Sequence, residues 1–232
     1  RIGDTAPNFT IATTAGEINF HDWAKGKWVF FFSHPADYTP VCTTEMGRTA
    51  QLAPEFEARN CAPLGLSTDT VEEHLGWTKD VNATQNTSLK FPIVADVDRK
   101  IAELYDMIHP SESSTATVRS IFIIDPEHKI RLTMTYPMAV GRNFDEILRV
   151  IDALQIGDKH GIATPVEWQA GDKVIIPVGR CGPLASCCGS STSEKMTSAF
   201  QPATSSSSAS AISMPCVVWV VRCMVQLTAR TT

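Results

Sequence analysis

Residues 27–45 read KWVFFFSHPADYTPVCTTE. Lys27–Ser33 is a continuous apolar, aromatic run of strand length, suited to the centre of a sheet covered on both faces. A loop, His34–Val41, carries Pro35 and Pro40 and delivers Cys42 to the start of a helix. Met46, Ala50, Ala53 and Phe56 then recur at helical spacing to Arg59, with Pro54 expected to kink or split the helix. A cysteine at a helix start meets unpaired backbone N–H groups and the positive end of the helix dipole, which favour an anion. An ordinary thiol with pKa near 8.5 is only about 3% ionised at pH 7, so such surroundings separate a nucleophile from an inert side chain.

Outward from this segment, strand and helix patterns alternate. Asn8–Thr13 and Glu17–Phe20 flank a Thr-Ala-Gly turn and read as a hairpin. Ala62–Ser67, Pro92–Ala95, Val118–Asp125 and Ile130–Tyr136 read as strands, the last two joined through the turn Asp125-Pro-Glu-His-Lys129. Val71–Val81 and Arg99–Met107 read as helices. Asn143–Leu154 is amphipathic, with Phe144, Ile147, Leu148, Ile151 and Leu154 on one face. The alternation implies an α/β layered domain. Beyond Gly157 come a linker-like stretch and a short predicted strand, Lys173–Ile176.

The chain has 232 residues, 43% hydrophobic and 19% charged, with net charge −5. That suits a substantial core and excludes collagen, coiled coil and wholesale disorder; the acidic balance argues against a nucleic-acid partner. The averages cover two unlike parts. Residues 1–177 hold 16 Lys+Arg against 24 Asp+Glu, a net of −8, whereas residues 178–232 carry +3. Cys42 and Cys61 lie in the first part; Cys181, Cys187, Cys188, Cys216 and Cys223 crowd into the second. Arg1–Phe20 has no apolar signal-peptide core, so the asparagine sequons at 8, 82 and 86 read as chance matches and the expected location is cytoplasmic. Cys216–Leu227 is apolar but interrupted by Arg222 and shorter than a membrane span of ~20 residues. No C-x-x-C pair and no zinc-like Cys/His spacing occurs. On position alone, Cys42 is equally a nucleophile or a buried structural cysteine.

The segment PADYTPVCTTE resembles the peroxiredoxin active-site signature, Pro-x-x-x-Thr-x-x-Cys, at Pro35, Thr39 and Cys42. The preceding SHP, the VCTTE form, GRNFDEILRVIDALQ at 141–155 and TPVEW at 164–168 are similar to the one-cysteine, peroxiredoxin 6 type. The resemblance runs from about Gly3 to Pro177. It implies a thioredoxin-like fold, a central mixed sheet flanked by helices, with a short C-terminal extension. Residues 1–157 would form the peroxidase domain, 158–180 the start of the family's C-terminal domain, and 181–232 an atypical tail.

The same resemblance implies that Cys42 is the peroxidatic cysteine of a thiol peroxidase reducing hydrogen peroxide and organic hydroperoxides. Thr39 would hydrogen-bond the thiolate and the peroxide, Pro35 would shield the site from water, and Arg119 would pair with the thiolate and polarise the peroxide. Glu45 and Arg142 would hold that arginine, and His34 matches the one-cysteine class's active-site histidine. The implied partners are a hydroperoxide, an external thiol reductant such as glutathione or a thioredoxin-like protein, and a second copy of the chain in a homodimer. No cofactor or metal is implied. The rival reading is a peroxide sensor or redox-switched chaperone using the same cysteine. Cys61, just before a strand, reads as structural.

Two departures from the family stand out. Some peroxiredoxin 6 type proteins are described as phospholipases with a serine before the central strand; here Lys27 occupies that place, leaving His21 without a nucleophile, so no serine-dependent lipase activity is expected. After Val178 the acids disappear, cysteines and serines accumulate and periodicity is lost, as expected of a reading-frame slip or a foreign segment. The functional alternative is that Cys187, Cys188 or another tail cysteine resolves the oxidised Cys42.

Overall fold

The run at 28–33 forms β3 (Trp28–Ser33), buried along its whole length. In the computed structural model the described residues are 1–177 together with a short antiparallel pair, Cys216–Val217 and Gln226–Leu227. They belong to two compact units, Arg1–Phe144 and Asp145–Thr232.

In the first unit, β1 (Thr10–Thr13), β2 (Gly16–Asn19), β4 (Cys61–Ser67), β5 (Ile93–Ala95), β6 (Arg119–Ile124) and β7 (Ile130–Tyr136) join β3 in a seven-stranded mixed sheet. The order is β2-β1-β5-β4-β3-β6-β7. β3, β4 and β5 run parallel, and β6 returns antiparallel beside β3 with Phe32 opposite Ile121 and Val29 opposite Ile124. The helices are α1 (Phe20–Ala24), α2 (Pro40–Gln51), α3 (Ala53–Ala58), α4 (Val71–Thr84) and α5 (Lys100–Leu104).

The period-2 geometry of a strand divides the aromatic run between two cores. Phe31 points to one, where its ring lies 5.9 Å from Phe9, 5.9 Å from Phe20 and 5.1 Å from Tyr105. Phe30 and Phe32 point to the other, stacked 4.6 Å apart, with Phe30 5.4 Å from Phe56 of α3. Each buried aromatic contributes about 1.5–3 kcal/mol, so this strand alone supplies much of the drive to form the layers. Gly65 of β4 lets α2 lie close: a Cβ there would come within 3.2 Å of Met46 Cε.

The helix expected over Cys42–Arg59 starts two residues earlier, at Pro40, and splits at Leu52, with Pro54 in the first turn of α3. Proline at that position costs no hydrogen bond, because first-turn N–H groups have no helical acceptor. The helix expected over Arg99–Met107 contracts to α5 because Arg99 and Asp106, at φ 63° and 53°, take left-handed backbone at its two ends.

In the second unit, α6 (Phe144–His160) outruns its predicted end at Leu154. It carries acids in its first turn and Lys159 and His160 in its last, complementing the helix dipole. Lys173–Ile176 is not a strand; only a bridge between Ala163 and Ile175 forms. Trp168 is buried, its Nε1–H donating to the Asp172 carbonyl at 3.3 Å. The atypical tail and its five cysteines lie outside the described residues, apart from the backbone of the short strand pair. None of the helices among the described residues is long and apolar enough to cross a membrane.

Candidate active site

Parallel strands β3, β4 and β5 end at one edge of the sheet, where α/β folds gather functional loops. The antiparallel β6 begins at that same edge, so Arg119, its first residue, arrives beside the chain leaving β3. Thr39 caps α2, and Cys42 sits at the helix's third position, among the N–H groups that have no acceptor within the helix. These placements meet: Arg119 Nη1 donates to Cys42 Sγ at 3.3 Å. Cys42 is free and fully buried.

Three charged side chains interlock around the sulfur. Arg119 Nη1 also donates to Glu45 Oε2 at 2.7 Å, while its Nε and Nη2 grip the Met138 carbonyl at 2.9 and 2.7 Å. Glu45, one turn beyond Cys42 on α2, accepts from Arg142 Nη2 at 2.6 Å and from Arg142 Nε and backbone N–H at 3.0 and 2.8 Å. Arg142 Nη1 reaches the Ser33 carbonyl at 2.9 Å, and its guanidinium lies over the Phe32 ring at 4.8 Å. All three are at least nine-tenths buried. Burial by itself would push the Glu45 carboxyl up; the charge and hydrogen bonds of Arg142, then the charge of Arg119, outweigh it and hold it below the usual carboxylate range. Two guanidinium groups and one carboxylate leave one positive charge beside Cys42 Sγ.

The loop residues take defined places. Pro35 is buried, and Thr39 is partly exposed with its hydroxyl donating to the Ala36 carbonyl at 3.0 Å. With its proton so engaged, the Thr39 oxygen has lone pairs to offer a peroxide O–H. His34 is buried and donates from Nε2 to Asp37 Oδ1 at 2.8 Å. Asp37 also binds His74 of α4, through Oδ2 to Nδ1 at 2.6 Å. These three side chains are the one group among the described residues with metal-capable donor atoms all within 4.8 Å of one another. Sequence reading missed Asp37 and His74, because neither lies at a distinctive spacing and 37 residues separate them.

The other cysteine of the described body is also free and buried, but its surroundings differ. Cys61 opens β4 opposite Trp28, and desolvation pushes its thiol up to about 12, against weaker opposing effects of the Phe30 backbone and Arg59. His21 is engaged by the fold: its Nε2 lies 2.7 Å from the Ala6 carbonyl and its ring stacks on His128 at 4.3 Å.

Comparison with known proteins identifies the family. The sequence model of the AhpC/TSA family matches residues 2–133, and that of the C-terminal domain of 1-Cys peroxiredoxin matches residues 153–178. The chain is 50% identical over 176 residues to the 1-Cys peroxiredoxin of Dictyostelium discoideum, covering 76% of this chain and 73% of that one. Among solved structures it is similar to a cysteine-to-serine mutant of the peroxiredoxin 6 of Arenicola marina, with TM-score 0.77, 40% identity, and 81% and 88% of the two chains covered. It is also similar to the yeast mitochondrial 1-Cys peroxiredoxin solved for its thiol resolving mechanism via glutathione/thioredoxin systems, with TM-score 0.78, 40% identity and 99% of each chain covered.

Proposed function

This chain belongs to the AhpC/TSA family, as a peroxiredoxin of the one-cysteine type with a thioredoxin-like fold, and from that premise we propose how its residues divide the work of a thiol peroxidase. Cys42 is the peroxidatic residue. The single observation that carries this reading is the 3.3 Å contact of Arg119 Nη1 with Cys42 Sγ inside the Glu45–Arg142 lattice.

The Cys42 thiolate attacks one oxygen of the hydroperoxide. An S–O bond forms as the O–O bond breaks; sulfur gives up two electrons and the departing oxygen leaves as water or alcohol after taking a proton. Negative charge develops on that oxygen. A guanidinium fixed by a carbonyl and a carboxylate, together with backbone N–H groups at the start of α2, is already oriented to meet it without reorganisation. Thr39 receives the peroxide O–H, and Pro35 covers the loop side. Glu45 and Arg142 act by holding Arg119 rather than by touching the peroxide.

Recycling needs two thiols: one displaces the sulfenic oxygen as water to form a mixed disulfide, and a second reduces that disulfide. Glutathione or a thioredoxin-like protein fills this role, a reading supported by what the yeast relative's description says of its own resolution. A homodimer, residues 1–157 as peroxidase domain, 158–180 as the start of the C-terminal domain and a cytoplasmic location complete the reading. The match at 153–178 supports the second domain.

Stopped-flow mixing of wild type and Cys42→Ser with hydrogen peroxide tests the assignment. Rapid, stoichiometric peroxide loss by wild type, multiple turnovers with added thiol, and neither in Cys42→Ser are expected. Turnover that survives Cys42→Ser overturns the assignment, and oxidation without repeated turnover under any reductant favours a sensor.

A further inference from the structure

The peroxidase chemistry leaves the buried group His34, Asp37 and His74 without a task. Their exposures are 0%, 7% and 0%. Asp37 accepts from one imidazole on each carboxylate oxygen, at 2.8 Å from His34 and 2.6 Å from His74. The other nitrogen of His74 faces the Val94 carbonyl at 3.2 Å. Carboxylate and carbonyl oxygens only accept, so both nitrogens of His74 face acceptors. His34 donates from Nε2, and its buried Nδ1 makes no hydrogen bond. The arrangement therefore joins two buried imidazoles through one buried carboxylate.

A metal fits less well than these hydrogen bonds. Four ligands held at about 2.0–2.1 Å around tetrahedral zinc stand about 3.3 Å from one another. Separations of 2.6 and 2.8 Å are those of charge-assisted hydrogen bonds.

The network sits where the loop His34–Thr39 would otherwise be free to move. The Asp37 backbone N–H donates to Asp69 Oδ2 at 2.9 Å, and Asp69 receives the Ser67 hydroxyl at 2.7 Å, so the loop is tied to the end of β4 as well as to α4. The next residue, Tyr38, has left-handed backbone at φ 58°, a conformation bulky residues rarely adopt. Its ring rests on Gly76 of α4, where a Cβ would come within 2.5 Å of the phenol oxygen. One residue further on is Thr39, whose carbonyl accepts the Thr43 N–H at 2.9 Å and so opens the helix turn that carries Cys42.

We propose that Asp37 and His74 are positioning residues of the peroxidase: their buried hydrogen bonds with His34 hold the loop in the one shape that presents Pro35 and Thr39 to the peroxide at Cys42. The inference rests on Cys42 being the reacting residue. It makes the peroxide reaction depend on the two hydrogen bonds at Asp37. Losing either one leaves a buried polar group unpaired and frees the loop. The charged and titratable groups around the network are Asp69 and Tyr38 on the loop side, Glu73 on α4, and Arg142; burial first, then the charges of His74 and Arg142, hold His34 below the ordinary imidazole range against the hydrogen bond and charge of Asp37.

The test compares Asp37→Asn, His74→Gln and Cys42→Ser in the full chain, measuring the rate constants of Cys42 with hydrogen peroxide and with iodoacetamide between about pH 5 and 9. A misplaced loop costs on the order of tenfold to a hundredfold in the peroxide reaction and alters its pH profile, while alkylation, which needs no peroxide geometry, changes little. Equal losses in both reactions would mark a merely structural role and overturn the proposal. Imidazole nitrogen NMR of wild type needs no variant to fold: a proton on His74 Nδ1 and His34 as the Nε2–H tautomer, each donated to Asp37, are expected, and a His74 without a proton on Nδ1 overturns the idea. So does stoichiometric zinc held by these side chains. If Cys42→Ser still turns over, the site assignment itself falls; if it is dead while Asp37→Asn and His74→Gln match wild type in rate and profile, the positioning proposal falls alone.

Discussion

Cys42 and Cys61 are both free, both buried and both attached to the central strands, yet the fold prepares them for opposite fates. Cys61 opens β4 opposite Trp28, at the edge where the parallel strands begin; Cys42 follows the end of β3, at the edge where they finish. A six-residue strand separates those edges by roughly 20 Å. At the first edge a thiol is desolvated, and the Phe30 backbone and Arg59 offset this only weakly. At the second it meets a helix start and the first residue of an antiparallel strand, which is an arginine. Burial alone therefore says nothing about a thiol's reactivity; what matters is which donors are buried with it.

The sharpest way to break this comparison is to remove each sulfur in turn. Cys42→Ser is expected to abolish peroxide consumption, whereas Cys61→Ser keeps the wild-type rate within about twofold, as measured by stopped flow. Arg119→Gln, which keeps a polar chain but removes the charge and the fork, should lower the peroxide rate constant about 10²–10³-fold. Glu45→Gln leaves two buried guanidinium groups with one negative partner fewer; a loss of about 3–5 kcal/mol in denaturant unfolding at pH 7 is expected.

Acid should reveal the same lattice. The Glu45 carboxyl lies below its ordinary value when folded, so its contribution is complete above the unfolded pKa and is lost as pH falls through the folded one. Asp37 behaves alike: burial raises its carboxyl, but hydrogen bonds from His34 and His74 bring it lower. Melting temperature should therefore fall on acidification below the usual carboxylate range, and Glu45→Gln should flatten that fall. The smallest effect concerns rates of modification. Native Cys61, with its thiol pushed up to about 12, should alkylate at pH 8 only as fast as the protein opens, while Cys42 reacts in the folded state.

Much of this was legible in one dimension. The aromatic run at 28–33 could hardly be anything but a doubly covered strand, and Pro54 announced the break between α2 and α3. The partnership of Cys42 with Arg119, Glu45 and Arg142 was different. Residues 77 and 97 positions apart meet only because β6 runs against β3, and spacing carries no trace of that; family resemblance supplied it. Asp37 and His74 escaped both routes, since an acid in a loop and a histidine on a helix are each ordinary until they share protons. The predicted strand at 173–176 failed for a related reason: its β-rich composition had only Ala163 to pair with, and a single bridge is not a ladder.

The grip of Met138 on Arg119 bears on the second half of the catalytic cycle. Two N–H groups on one carbonyl and one on Glu45 keep the guanidinium in place whether or not the sulfur is anionic. On the proposed assignment of Cys42, peroxide converts a thiolate to a neutral sulfenic acid, the arginine stays and the anion it balanced is gone. The oxidised enzyme is thus one charge more positive at its centre than the reduced one. An incoming thiolate restores that balance, so the electrostatics that suit the first reaction also draw in the reductant that ends it.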